Sequence, residues 1–114
     1  MAIVVLDEKL FWKSSNGMFR QIFEYINENL PNGYLKEKIT YSLYGYYFLD
    51  FEHVAFLDDI ESLIFWIDAW LEEPVHESVR LNPEFYLFYR SSRGLVWKLK
   101  NKLEIKRKTL YYKR

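Results

Sequence analysis

Residues 85–112, FYLFYRSSRGLVWKLKNKLEIKRKTLYY, decide the fold. Leu95, Trp97 and Leu99 alternate with Lys98 and Lys100, and Leu103 and Ile105 alternate with Lys106 and Lys108. Alternation of this kind marks a strand with one buried and one solvated face. Ser91, Ser92, Arg93 and Gly94 interrupt it as a four-residue hairpin loop, with glycine where a positive φ is wanted. The pattern predicts strands over 85–90, 95–100 and 103–112. Together they make a three-stranded antiparallel sheet with an apolar inner face and a basic outer face.

Upstream the period is helical. Met18, Phe19, Ile22, Phe23, Ile26 and Leu30 share one side at 3.6 residues per turn, and Ser14, Ser15 and Asn16 offer capping oxygens before them. A helix over 16–30 follows, closed by Pro31, Asn32 and Gly33. Leu35, Ile39, Leu43 and Tyr46 fit a second helix within 34–49, although Ile39, Tyr41 and Leu43 also alternate as in a strand. A third helix, over 59–73, buries Ile60, Leu63, Ile64, Ile67, Trp70 and Leu71, with Asp58 or Asp59 as N-cap and Pro74 after its last turn. Residues 2–6 read as a short strand or extended lead-in. The fold class is therefore α+β: about three N-terminal and central helices packed on a C-terminal sheet, in one domain over 1–114.

Composition narrows the function classes. The chain has 114 residues and half are apolar, enough for a core without staples. It has no cysteine, which removes disulfides and thiolate chemistry and suits the reducing cytoplasm. Residues 2–6 are too short a run for a signal peptide, and nothing approaches the ~20 apolar residues of a membrane span. The net charge of zero conceals an asymmetry. Residues 1–84 hold 15 acids against 6 Lys and Arg, whereas residues 85–114 hold 1 against 10. An acidic pole and a basic pole follow if the two segments occupy different surfaces. Phe, Tyr and Trp number 9, 10 and 4, more rings than so small a core needs, which puts some of them at an interface.

No catalytic constellation stands out. The two histidines, His53 and His76, belong to no metal-binding pattern, and Asp50, Glu52 and His53 read as a polar loop in preference to a hard-metal site. The glycines are isolated, so no phosphate-cradling loop is present. No cofactor, no metal and no enzymatic activity are expected. The face of the third helix opposite its apolar stripe is more informative. Asp58, Glu61, Asp68 and Glu72 surround Phe65 there, an acidic ridge with one ring in its middle. Such a ridge suits a cationic protein partner, with carboxylates answering its Lys and Arg and the ring supplying apolar contact. Tyr41 and Tyr44 point to the polar side of the second helix and extend that surface, while Tyr46 belongs to the core side. The rival surface is the basic sheet, where Arg90, Arg93, Lys98, Lys100, Lys106 and Lys108, among tyrosines, resemble a site for single-stranded nucleic acid or the working face of a ribonuclease-type toxin.

An acidic helix over 58–73, the tyrosine-rich stretch before it, and a cysteine-free, aromatic-rich chain of this size resemble the immunity proteins of contact-dependent growth inhibition and related bacterial polymorphic toxin systems. The resemblance implies a cytoplasmic inhibitor that neutralises one cognate toxin, often a nuclease, by occluding it. A homodimer fits the same picture.

Overall fold

The computed structural model describes residues 1–52, 56–72 and 83–112. Strands β1 (Ala2–Asp7) and β2 (Leu10–Ser14) form an antiparallel hairpin. Helices α1 (Asn16–Asn29) and α2 (Tyr34–Tyr44) follow, and β3 (Phe48–Asp50) returns parallel to β1, giving the sheet order β2-β1-β3. Helices α3 (Leu57–Glu72) and α4 (Pro83–Tyr112) complete the described chain.

The chain is α+β, but its strands are N-terminal and the sheet is mixed, so the expected C-terminal antiparallel sheet is overturned. Residues 83–112 form one helix of 30 residues, about 45 Å long by its rise, close to the 48 Å long dimension of the molecule. Its core stripe is Ser92, Val96, Leu99, Leu103 and Lys106, all buried and spaced three or four apart. Trp97 and Ile105, which the alternation points inward, are 46% and 53% exposed. Two polar residues on the buried stripe hid the helical period, while the lysines between the leucines mimicked a strand. Local preference lay with the helix throughout, because Leu, Lys, Arg and Glu dominate 95–110 and Pro83 suits a first turn.

No glycine among the described residues lies in the left-handed region, so Gly94 is an ordinary helical position and not a hairpin turn. A Cβ added there meets nothing within 4 Å. Gly94→Ala is therefore expected to raise unfolding free energy by about 1 kcal/mol in urea titrations. A loss of stability would contradict a helix through this position.

The helices expected upstream are present with adjusted ends. Ser15 caps α1, its Oγ accepting from the Met18 amide at 3.2 Å, and Met18, Phe19, Ile22, Phe23 and Ile26 are buried. α2 is shorter than expected because it stops before Gly45. Residues 48–50 pair with β1, the Ile3 amide donating to Tyr47 O at 3.0 Å and the Phe51 amide to Val5 O at 2.7 Å. α3 starts earlier than expected: the Ile60 amide donates to Phe56 O at 3.2 Å, so Asp58 and Asp59 lie inside the first turn and neither is the N-cap. The charge of exposed Asp58 still favours the helix start.

Ala2, Val4 and Leu6 on β1 face the core with Trp12 of β2 and Leu49 of β3, in register with Val4. Side chains meet the main-chain carbonyls of both outer strands: Lys102 Nζ donates to Phe11 O at 2.7 Å and Ser42 Oγ to Phe48 O at 3.0 Å. α1 packs against both α2 and α3, and α3 packs against α4. The last two are antiparallel, since Asp68 late in α3 meets Lys100, while Glu61 early in α3 shares a cavity with Arg107 and Tyr111.

Candidate functional site

α2 buries Leu35, Ile39 and Ser42 and turns the opposite side to solvent. Tyr34, Glu37, Tyr41 and Tyr44 stand on that side at spacings of three and four, a stripe one face of a helix must produce. Tyr41 and Tyr44 are 76% and 89% exposed, as the sequence led us to expect. Tyr46 is 86% exposed, contrary to its expected place in the core, because the helix has already ended and the turn carries its ring outward.

The turn is held firmly. Ser42, itself buried, accepts through its carbonyl from the Gly45 and Tyr47 amides at 3.3 and 3.2 Å, while its hydroxyl reaches β3. Tyr47 has φ of 52°, a left-handed conformation costly for a tyrosine. Its ring packs edge-on against Phe19 at 5.7 Å and its hydroxyl accepts from Arg20 at 3.3 Å, which fixes that conformation. The neighbouring Tyr44 and Tyr46 are thereby presented on a rigid corner.

Three adjoining grooves surround Tyr41. One of about 620 Å³ is lined by Lys36, Glu37, Thr40, Tyr41 and Tyr44. A second of about 430 Å³ is lined by Tyr34, Glu37, Lys38, Tyr41, Phe48 and Asp50, and a third by Tyr41, Tyr44, Gly45 and Tyr46. The two lysines are held by other groups. Lys36 Nζ donates to the carbonyls of Asn27 and Leu30 at the end of α1, at 2.7 and 3.1 Å. Lys38 lies over the rings of Tyr34 and Phe51, at 5.9 and 5.5 Å. Asp50 Oδ1 accepts from the Glu52 amide at 2.8 Å, so Glu37 and the second Asp50 oxygen are the carboxylate acceptors beside the tyrosine rings.

Asp59 is raised above the ordinary aspartate value of 3.8, first by burial and then by repulsion from Asp58, with Lys38 opposing. Ionising Asp59 therefore costs folding free energy. The penalty is absent below the unfolded-state value, grows as pH rises through it, and is fully present above the folded-state value. Asp59→Asn should be more stable than wild type at neutral pH, with the gap closing in acid. Thermal melts at several pH values read this directly, and a gap that widens in acid would reverse the assignment.

On α3, Asp58, Glu61 and Glu72 are exposed and Phe65 is 63% exposed, its ring edge-on to Trp66 at 5.0 Å. Asp68 is tied to Lys100 of α4, and Glu61 lines a cavity of about 190 Å³ with Arg107, Lys108, Tyr111 and Tyr112. The acidic ridge therefore lies beside the basic helix, and the expected division into separate poles does not hold for these two segments.

The rival basic site is dispersed around α4. Lys100 pairs with Asp68 and stacks over Trp97 at 4.6 Å, Lys102 serves Phe11 O, and Lys106 is buried on the core stripe. Arg90, Lys98 and Lys108 remain exposed on the outer face, while Arg93 is partly buried and has interactions of its own. His53 and His76 lie outside the described residues. Among the described residues no group of acids and histidines is placed to hold a metal ion, and no helix is long and apolar enough to cross a membrane.

Sequence reasoning missed Tyr34, Glu37, Phe48 and Asp50 as partners of Tyr41 and Tyr44. The helical spacing 34, 37, 41, 44 carried part of that signal; the contribution of β3 required the sheet. No protein-family model matches the chain, and no curated protein or solved structure matches it either.

Proposed function

We infer that this chain is a protein-binding inhibitor without chemistry of its own, and that it docks a cationic protein through the tyrosine-lined grooves of α2 and β3. The observation that carries the reading is the exposure of Tyr41 on α2 and of Tyr44 at its end, beside Glu37 and Asp50. A soluble chain gains nothing internally from rings held so fully in water. Tyrosine is well suited to docking because it brings large contact area and a polar tip at low rotamer cost. Carboxylates around it select a basic surface and raise the association rate. A bacterial toxin that works on nucleic acid presents such a surface, and covering it inactivates the enzyme. That is the role of an immunity protein, the class the sequence resembles.

The test begins with affinity capture from the native host, comparing wild type with Tyr41→Ala/Tyr44→Ala. Wild type should retain a basic protein whose expression arrests growth and whose arrest co-expression of this chain relieves. The double variant, with unchanged circular dichroism, should bind at least about tenfold more weakly and fail to relieve the arrest. Equal protection by both chains would remove the grooves from the mechanism.

A further inference from the structure

The outward faces of α3 and α4 are oppositely charged and lie side by side. At 100° per residue, Asp58, Glu61, Phe65 and Glu72 fall within about 60° on α3, and Arg90, Trp97, Lys98, Asn101, Ile105 and Lys108 within about 100° on α4. All ten are exposed. Phe65, Trp97 and Ile105 supply apolar contact, and the α4 set contains no acid. A monomer has no internal use for such a face.

The register of the intramolecular pair fixes what the face fits. Asp68 meets Lys100, and Glu61 lies beside Arg107 and Lys108, so residue numbers at one height along the antiparallel pair sum to about 168. Consider a second copy related by a two-fold axis that runs between the helices and parallel to them. That operation keeps height and exchanges sides, laying α3 of each copy on α4 of the other. Glu61 then comes to the height of Lys108, Glu72 to that of Trp97 and Lys98, and Phe65 to the gap between Asn101 and Ile105. Glu61 and Glu72 each meet a lysine, Arg90 lies beyond the height of Glu72, and the same contacts occur twice, which an isologous interface requires. A two-fold axis lying across the helices instead would stack α3 on α3, acid on acid.

We propose that this face pairs two copies of the chain into a four-helix dimer, with Glu61 and Glu72 of each copy answering Lys108 and Lys98 of the other. The pairing uses a different surface from the tyrosine grooves and stands whether or not those bind a toxin. Two helix faces of this length bury on the order of 500 Å² a side, the low end for specific association, so the dimer depends on its charges and weakens with salt.

Sedimentation of four samples tests it: wild type, Glu61→Lys/Glu72→Lys, Lys98→Glu/Lys108→Glu, and an equimolar mixture of the two variants. Wild type should reach twice its 14.0 kDa mass at low salt in the micromolar range. Each variant alone should dimerise about 100-fold more weakly, because like charges then face each other at both contacts. The mixture should recover to within about tenfold of wild type, since reversal on both sides restores every pair. A wild type that stays monomeric near 1 mM overturns the proposal, including one that instead holds a polyanion or an acidic protein through Lys98 and Lys108. A mixture that fails to recover while both variants keep their helical signal also overturns it. Should a reversed chain unfold, the wild-type dimer decides the matter: an affinity unchanged between about 50 and 500 mM salt excludes pairing by these charges.

Discussion

Replacing Leu103 with alanine is expected to cost about 3 kcal/mol of unfolding free energy, and replacing Ile105, two positions on, less than about 0.5 kcal/mol. Leu103 is 1% exposed on the core stripe of α4, whereas Ile105 is on the outward side. Truncating the first removes buried methyl groups and leaves a cavity that neighbours on a rigid helix cannot fill. Truncating the second removes little buried area and substitutes a better helix former. A strand through 103–112 would turn both side chains inward and make both changes costly. Urea titrations on dilute protein, where self-association does not add to stability, separate the two. Comparable losses at the two positions would mean that the helical register of α4 is wrong. Loss of 3 kcal/mol is a large part of the 5–15 kcal/mol typical of a domain, so Leu103→Ala should also shift the thermal midpoint by many degrees.

The same pair of residues shows what was legible in the sequence. α1 could be read because its evidence is local and unanimous: the Ser15 cap, an unbroken apolar stripe and a proline after the end. β1 could be read in outline because residues 2–6 are a short apolar run with β-branched Ile3, Val4 and Val5, which suits a strand or an extended lead-in. α4 could not, because its stripe includes Ser92 and Lys106. An apolar-only count breaks the three-four spacing there and favours the two-residue period of Leu95, Trp97 and Leu99. Lys106 is tolerable on a buried stripe because a lysine's four-carbon stem can pack as a hydrophobe. β2 and β3 went unread for a different reason. They are five and three residues long, and β3 exists as a strand only through its pairing with β1, a contact more than 40 residues distant.

The candidate site divides along the same line. Exposure of Tyr41 and Tyr44 follows from helical periodicity once residues 34–44 are a helix, a choice the sequence left open against a strand. Their assembly with Phe48 and Asp50 depends on the β3 pairing, and no local pattern encodes it. The charge map was legible as a count and misleading as a picture, because fifteen acids followed by ten bases says nothing of which helices become neighbours. Once residues 83–112 are one helix lying against α3, the asymmetry acts across an interface between elements. That placement turns an acidic ridge into half of a complementary face.

Trp12→Ala is expected to cost about 4 kcal/mol and Trp12→Phe about 1 to 2 kcal/mol. The indole is 2% exposed, opposite Val4 in the hairpin, and its Nε1 donates to the Leu95 carbonyl at 2.9 Å across 83 residues of sequence. It is thus a direct tie between the first strands and the last helix. Phenylalanine keeps most of the buried ring and forfeits the hydrogen bond, whose loss is cheap because the Leu95 carbonyl retains its helical acceptor role. Alanine forfeits both. Equal costs for the two changes in urea titrations would show that the bond, and not the ring, holds the hairpin to α4. The consequence reaches the outward face, because the position of α4 against the sheet sets where Lys98 and Lys108 stand relative to Glu61 and Glu72. Under conditions where both variants remain folded, Trp12→Ala should weaken pairing of two copies measurably while Trp12→Phe leaves it intact. The difference would appear even though Trp12 lies in the core, far from the surface that meets the second chain.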